Sequence, residues 1–371
     1  MTERLTYAAA GVDIEAGDKA VELFKESVRR ATRPEVVGTL GGFAGMFDAS
    51  ALARMARPIL VTSTDGVGTK VVLAQRLDLH ESIGHDLVGM VVDDIVVCGA
   101  EPLYLTDYIA CGQVVPERIA RIVAGIADAC VQARVALVGG ETAEHPGVLG
   151  PTEYDVAGAA TGVVEYADIL GAHRVVPGDV VLALASTGLH SNGFSLISRA
   201  VARAGWELDH EVPELGRSIG LELLEPTRVY AADILDLIAL PGVEIHSLAH
   251  VTGGGLVANL ARVLPRDVYA RLDRSTWTPA PIFALVGRLG DVPPADLERT
   301  LNMGVGFMAV LPGAGVDEAV RHLAGRGIHS WVIGTVSAIE DAEFVPGYEL
   351  VRAAKGVEGG TVQLVGSYAP A

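Results

Sequence analysis

Apolar residues recur along this chain with two periods, and the two alternate. Over 80–97 and 116–133 they return every three to four residues, the spacing of one helical face. Short apolar runs at 59–64, 103–110, 135–138 and 154–164 predict strands around those helices. Residues Asp18 to Ala31 predict a further helix, with Asp18 as N-cap and Val21, Phe24 and Val28 on its apolar side. The turn V-V-P-G-D at 175–179 opens a second series. Strands are predicted near 179–185, 243–247, 267–273, 303–311 and 328–336. Helices are predicted near 193–204, 226–239, 255–264, 280–288 and 315–324. Both halves predict a mixed α/β fold. A boundary near 170 gives one domain over 1–169 and a second over 170–345. Beyond about 346 the chain is glycine-rich and aperiodic, and a loose tail over 346–371 is expected.

A length of 371 residues suits about two domains. Mean hydropathy is +0.37, yet no uninterrupted apolar run reaches about 18 residues, so no membrane span is expected. The first residues, MTERLTYAAAGVDIEAGDK, carry acids and lack a signal-peptide core; a cytoplasmic location is expected. Net charge is 28 − 46 = −18. A nucleic-acid binder presents a basic face, so no nucleic-acid partner is expected. The acid excess leaves any phosphate to backbone amides, local Lys and Arg, or Mg²⁺. Cys98, Cys111 and Cys130 form no C-x-x-C and no metal spacing, and small buried thiols are expected.

Five segments could carry chemistry. The stretch S-T-D-G-V-G-T-K, Ser63 to Lys70, follows a strand end with an acid (Asp65), two glycines (Gly66, Gly68), a hydroxyl (Thr69) and a cation (Lys70). Glycines let amide groups approach an anion, and an acid beside them suggests an intervening metal ion. It is not a Walker A loop, and a plain glycine turn would use the same residues. On the helix 80–97, Ile83, Leu87, Met90, Val91 and Asp94 share one face, while Asp86 and Asp93 share another. Asp94 is thus a carboxylate on an apolar stripe, to be paired or metal-bound; Asp93 is expected in solvent or as a secondary contact. In L-V-G-G-E-T-A-E-H-P-G (137–147), Gly139, Gly140 and Glu141 sit just beyond a strand end, where α/β folds collect ligands. Glu144 and His145 offer a tempting metal set with Glu141, but His145 is taken as an ordinary loop residue.

In L-H-S-N-G-F-S-L (189–196), His190 could act as acid or base, and Ser191 or Asn192 could cap a helix or leave its amides for an anion. In H-V-T-G-G-G-L-V-A-N-L (250–260), Gly253, Gly255 and Ala258 fit G-x-G-x-x-A, with Asp273 twenty positions beyond Gly253. The preceding run E-I-H-S-L-A-H-V is too polar for a central parallel strand, so a simple phosphate site is the more economical reading than a dinucleotide fold.

Taken together, these segments resemble the phosphoribosylformylglycinamidine cyclo-ligase (aminoimidazole ribonucleotide synthetase, PurM) family from about Tyr7 to Val336. The matching segments are A-G-V-D-I-E-A-G (10–17), R-P-E-V-V-G-T-L-G-G-F (33–43), S-T-D-G-V-G-T-K, D-L-V-G-M-V-V-D-D-I-V-V-C-G-A-E-P-L, L-V-G-G-E-T-A-E-H-P-G, Y-D-V-A-G, H-S-N-G-F-S-L, P-T-R-V-Y and H-V-T-G-G-G. The resemblance implies a two-domain PurM-like fold with a C-terminal α/β sandwich, and a homodimer whose N-terminal sheets pair into a barrel. It implies ATP-dependent cyclisation of formylglycinamidine ribonucleotide, with ATP as co-substrate, Mg²⁺ as cofactor and K⁺ as a further candidate. Asp65, Asp94 and Glu141 match acids associated with Mg–ATP. Gly66, Gly68, Thr69 and Lys70 would line the phosphates, with Gly139 and Gly140 beside them. Lys25 matches a lysine near the active site. His190, Ser191, Asn192 and Gly193 match the segment that acts on or holds substrate, and Thr252, Gly253 and Gly254 would hold its phosphate. The chain departs from the family at Ala44, Asp93 and His145, where Gly, Asn and Met are common.

Other members of the superfamily compete. Selenophosphate synthetase wants an N-terminal Cys or selenocysteine, and no Cys precedes Cys98. The hydrogenase maturation dehydratase carries a C-terminal Cys, whereas this chain ends Tyr-Ala-Pro-Ala. Thiamine monophosphate kinase lacks the H-S-N-G and D-I-E-A-G context. A dinucleotide-binding oxidoreductase built on Gly253 to Asp273 is the reading from a different class.

Overall fold

The computed structural model describes residues 13–39, 41–353, 356 and 358–370. Ala10 to Val12 of the A-G-V-D-I-E-A-G segment and Leu40 of the T-L-G-G-F segment lie outside the described residues. The chain divides into two compact units, one of residues 1–95 and 101–166, the other of 96–100 and 167–371.

The first unit runs α1 (Ile14–Arg30), β1 (Val36–Val37), β2 (Met46–Phe47), β3 (Pro58–Gly66), α2 (Val71–Leu77), α3 (Ser82–Val96), β4 (Glu101–Cys111), α4 (Pro116–Ala133), β5 (Ala136–Glu144) and β6 (Tyr154–Glu165). Its sheet has the order β3-β6-β4-β5, antiparallel except for the β4–β5 pair. Alternation gives β4 and β6 a buried face that includes Leu105, Ile109, Val156 and Ala160. Helix α3 covers that face: an added Cβ on Gly158 would meet Leu87, and one on Gly162 would meet Ile95. Helices α3 and α4 touch backbone to backbone at Gly84 and Gly125, where a Cβ would fall 2.0 Å from main-chain atoms. Helix α4 starts on Pro116 at its first turn and stops at Arg134, which turns left-handed at φ 57°. The opposite sheet face is open, with Leu60 and Tyr108 exposed. Helix α1 is capped by Asp13, which accepts from the Ala16 amide; Asp18 lies inside the helix and is not the cap expected of it.

The second unit runs β7 (Asp179–Ala185), α5 (Phe194–Arg203), β8 (Glu211–Val212), β9 (Arg217–Ser218), α6 (Ile219–Leu223), α7 (Ala231–Ile238), β10 (Ser247–His250), α8 (Gly255–Ala261), β11 (Val268–Asp273), α9 (Pro281–Gly290), α10 (Pro294–Thr300), β12 (Val305–Pro312), α11 (Val316–Gly325), β13 (Ser330–Ala338), β14 (Leu350–Arg352) and β15 (Thr361–Val365). Its main sheet has the order β10-β12-β7-β13-β11-β15-β14. Only β11 and β15 pair in parallel. Strand β10 is an edge strand, and β11 lies four places away. The β10–α8–β11 segment is therefore no βαβ unit, and the dinucleotide reading of Gly253 to Asp273 fails on topology.

The expected loose tail is corrected. Strand β15 is buried along its whole length inside the sheet. Its Gln363 accepts from the Tyr269 hydroxyl and the Val345 amide and donates to the carbonyls of Val345 and Tyr348. Thr361 and Gln363 alternate with Val362 and Leu364, but over five residues only, and the Gly359-Gly360 pair before them reads as loop. Among the described residues no helix is long and apolar enough to cross a membrane.

Candidate functional site

In the first unit the strand residues expected to bind nucleotide lie at one end of the sheet. Register puts Asp65, Gly158, Asp107 and Gly140 in one row across the four strands, and Gly66, Ala157, Tyr108 and Glu141 in the next. Successive rows face opposite ways. Asp65 therefore shares the α3 side with Asp107, two strands or about 10 Å apart, while Glu141 belongs to the open side. Helix α3 adds a second separation. Leu87 lies over Gly158, in Asp65's row, and Ile95 over Gly162, in Val61's row. Asp94 thus stands toward the far end of β3 from Asp65. The expected metal set of Asp65, Asp94 and Glu141 is not brought together, and no three His, Cys, Asp or Glu side chains among the described residues gather to hold a metal ion.

The wheel reading of α3 is also corrected. Asp86 and Asp93 are fully buried and Asp94 is exposed, the reverse of the expected order. Nearly the whole circumference of α3 is buried, so an apolar stripe does not mark its inner side. Asp86 lies 2.8 Å from the Lys70 ammonium, and neither side chain has exposed surface. Asp65, Gly68 and Thr69 are exposed; Asp65 accepts from the Gly66 amide, and Gly68 takes φ +74°. An added Cβ on Gly140 would fall 2.1 Å from Asp107 Oδ1, so a larger residue there would displace the Asp107 carboxyl. Burial pushes the Asp107 carboxyl up to about 7.

The rest of that loop is structural. Glu144 accepts from the amides of Asp13 and Val114, tying down α1 and the start of α4. His145 is hydrogen-bonded to the Tyr108 hydroxyl. Lys25 is exposed on α1 beside Glu22. Cys111 and Cys130 are buried and Cys98 half-buried; burial raises the thiol of Cys111 to about 11.

In the second unit the structure joins two segments that lie apart in sequence. The Asn192 side-chain oxygen accepts from the Gly253 amide at 3.0 Å, across 61 residues. H-S-N-G and V-T-G-G-G thus form one locus. Gly193 turns left-handed at φ +79° and starts α5. Gly254 and Gly255 take φ +110° and +72°, and a Cβ on Gly255 would fall 1.8 Å from the Glu298 carbonyl oxygen. The Asn259 amide donates to the carbonyls of Thr252 and Gly255 and closes the turn.

His190 has almost no exposed surface and adopts φ 59°, which costs a non-glycine residue. Its Nε2 accepts from the Thr187 amide at 3.3 Å, so the neutral ring carries its proton on Nδ1. Around it, Asn302 donates to the Gly188 carbonyl and accepts from the Gly304 amide, and Tyr230 donates to the Ala185 carbonyl. Gly306 leaves room for both rings: its Cβ would fall 2.1 Å from the Tyr230 hydroxyl and 2.6 Å from His190 Cε1. Asp86, Asp107, Asn302 and Gly306 escaped the sequence reading. The only signal among them was Asp86 sharing a helical face with Asp93.

Two family matches cover most of the chain. The N-terminal domain of AIR synthase related proteins matches residues 47–164, and the C-terminal domain matches 176–345. A phosphoribosylformylglycinamidine cyclo-ligase of Desulfitobacterium hafniense is 46% identical over 332 residues, 90% of this chain and 96% of that protein. One from Thermosynechococcus vestitus is 48% identical over 336 residues, 90% and 97% of the two chains. Among solved structures, thiamine-monophosphate kinase from Stenotrophomonas maltophilia is similar at a TM-score of 0.65 with 18% identity, over 94% of this chain and 97% of that one. Hydrogenase maturation protein HypE in complex with ATP is similar at 0.60 with 20% identity, over 94% of each chain. At such identities the likeness is one of fold.

Proposed function

The chain belongs to the phosphoribosylformylglycinamidine cyclo-ligase family, and from that premise we propose which of its residues carry the family's reaction. That reaction is the ATP-dependent closure of formylglycinamidine ribonucleotide to 5-aminoimidazole ribonucleotide in purine biosynthesis, with release of ADP and phosphate. The formyl oxygen of an amide is a poor leaving group. Phosphorylation turns it into phosphate, and an amidine nitrogen of the same molecule then closes the ring. The protein must hold the reacting ends together and neutralise the transferring phosphoryl group.

In the proposal, Asp65, Gly66, Gly68 and Thr69 face the polyphosphate, and Gly139 and Gly140, three strands away at the other edge of the sheet, complete the nucleotide set. Lys25 is a further candidate on α1. Ser191, Asn192, Gly193, Thr252, Gly253 and Gly254 hold the substrate and its phosphate, and His190 exchanges a proton with it. One observation above all supports this reading. The Asn192–Gly253 bond makes a single polar locus of two segments, with His190 two residues away in a strained backbone. Mg²⁺ and K⁺ belong to the same proposal as companions of ATP. Because Asp94 and Glu141 lie apart from Asp65, the three do not fit one ion. Homodimerisation through the open sheet face is supported by the exposure of Leu60 and Tyr108. A cytoplasmic location is part of the same reading.

The test incubates the protein with formylglycinamidine ribonucleotide, ATP, Mg²⁺ and K⁺. Aminoimidazole ribonucleotide and ADP should appear together, and His190→Ala should lose product formation while Asp65→Asn loses ATP use. ADP without aminoimidazole ribonucleotide would point to another superfamily activity.

A further inference from the structure

We propose that Lys70 and Asp86 are a positioning pair that sets the loop 65–69 for nucleotide, and that Lys70 itself touches no phosphate. The proposal rests on reading 65–69 as the polyphosphate loop.

The loop ends in a 3₁₀ turn, Gly68–Lys70, with Val67 as its N-cap. In such a turn residues i and i+3 eclipse. Val67 and Lys70 are three apart, and they are the two loop residues that point inward, with 1% and 0% exposure. Gly68 and Thr69, between them, are exposed. Each inward residue is fastened. The Val67 amide donates to the Val156 carbonyl on β6 at 3.1 Å, and the Lys70 ammonium meets Asp86 on α3 at 2.8 Å. One fastening is to the sheet and the other to the helix above it. What remains facing outward is Asp65, Gly68 and Thr69.

The ion pair is an odd choice for stability alone. Two charges stripped of water gain little over well-packed apolar side chains of the same volume, whereas losing one partner is strongly destabilising. Its asset is direction. A short, charge-assisted bond fixes where the turn ends and α2 begins at Val71, which apolar packing would leave free to slide. The lysine of G-T-K resembles a phosphate-binding lysine in sequence, but the 3₁₀ turn rotates it to the inner side.

A double-mutant cycle on ATP separates positioning from contact. Lys70→Met and Asp86→Asn should each raise the KM for ATP about tenfold or more, with a smaller change in kcat. The double variant should be no worse than the poorer single. An Asp86→Asn enzyme with wild-type KM beside a crippled Lys70→Met, or losses that multiply, would overturn the pair. Acetylation of the folded wild-type enzyme, read by mass spectrometry, needs no variant. Lys19 and Lys25, with side chains 59% and 64% exposed, should react, and Lys70 should not, with or without ATP. Acetylation of Lys70 that ATP suppresses would make it a phosphate ligand. Unchanged ATP affinity in Asp65→Asn would instead sink the loop reading, and the proposal with it.

Discussion

Gly306→Ala adds one carbon beside His190. The new methyl would stand 2.6 Å from His190 Cε1 and 2.1 Å from the Tyr230 hydroxyl, where ordinary contacts begin at 3.4 Å. The imidazole must therefore retreat by at least 3.4 − 2.6 = 0.8 Å and the tyrosine hydroxyl by 3.4 − 2.1 = 1.3 Å, or the β12 backbone must move. Tyr230 is fully buried, lies tilted against Phe307 with ring centroids 5.4 Å apart and donates to the Ala185 carbonyl at 2.7 Å, so moving it breaks these contacts. Overpacking of this kind costs about 1–3 kcal/mol, and a broken tyrosine hydrogen bond about 1 more. If the ring yields instead, a shift near 1 Å in a reacting group lowers the rate by about 10². Urea unfolding should show a loss of about 2–4 kcal/mol. Formation of aminoimidazole ribonucleotide at saturating ATP should fall about a hundredfold in protein that is still folded. A destabilised variant with an undiminished rate would refute the placement of His190 at the chemistry.

Three further outcomes are expected. Burial raises Asp107, so its folded form keeps a proton that the unfolded chain gives up above about pH 4. That contribution to stability is complete below pH 4 and is lost as pH rises toward 7, at about 1.4 kcal/mol per unit. Asp107→Asn should flatten the slope of urea midpoint against pH between 4 and 7; an unaltered slope would discard the effect. Deleting residues from 361 onward removes Val362, Leu364 and Val365, each worth about 1.5–3 kcal/mol when buried. The truncated protein should melt far below the full chain or precipitate, and an unchanged melting temperature would make β15 dispensable. Asn192→Ala takes away the acceptor of an exposed Gly253 amide, so stability should move by less than about 1 kcal/mol. The KM for formylglycinamidine ribonucleotide should rise, and an unchanged value would separate the two segments in function.

Much of the fold was legible because long apolar periods decide it. Helix α4 and strand β7 begin and end where periodicity puts them, at 116–133 and 179–185. Short elements escaped: α10 has one buried residue, Leu297, and β15 alternates over only five residues behind a Gly-Gly pair. The loops that carry the candidate site could be found from glycine and acid spacing, but the direction of each side chain could not. Direction depends on register and on what packs above. Glu141 went to the open face through its pairing with Tyr108, and Lys70 turned inward through a 3₁₀ turn. Asp93 and Asp94 exchanged places because α3 has almost no solvent side to anchor a helical wheel. The Asn192–Gly253 bond spans 61 residues and leaves no local trace.

The position of β7 in its sheet has a consequence for how the chain is made. Both neighbours of this strand come late: β12 starts 305 − 185 = 120 residues after β7 ends, and β13 follows it. A growing chain extends at about 5–20 residues per second, so D-V-V-L-A-L-A leaves the ribosome roughly 6–24 s before a strand that can pair with it exists. High contact order slows the later docking as well. During that interval a strongly apolar strand of the second unit is an open template for other nascent chains. Slower synthesis lengthens the exposure, so recombinant yield should depend more on chaperone supply and on holding down the number of chains in synthesis than on the stability of the finished protein.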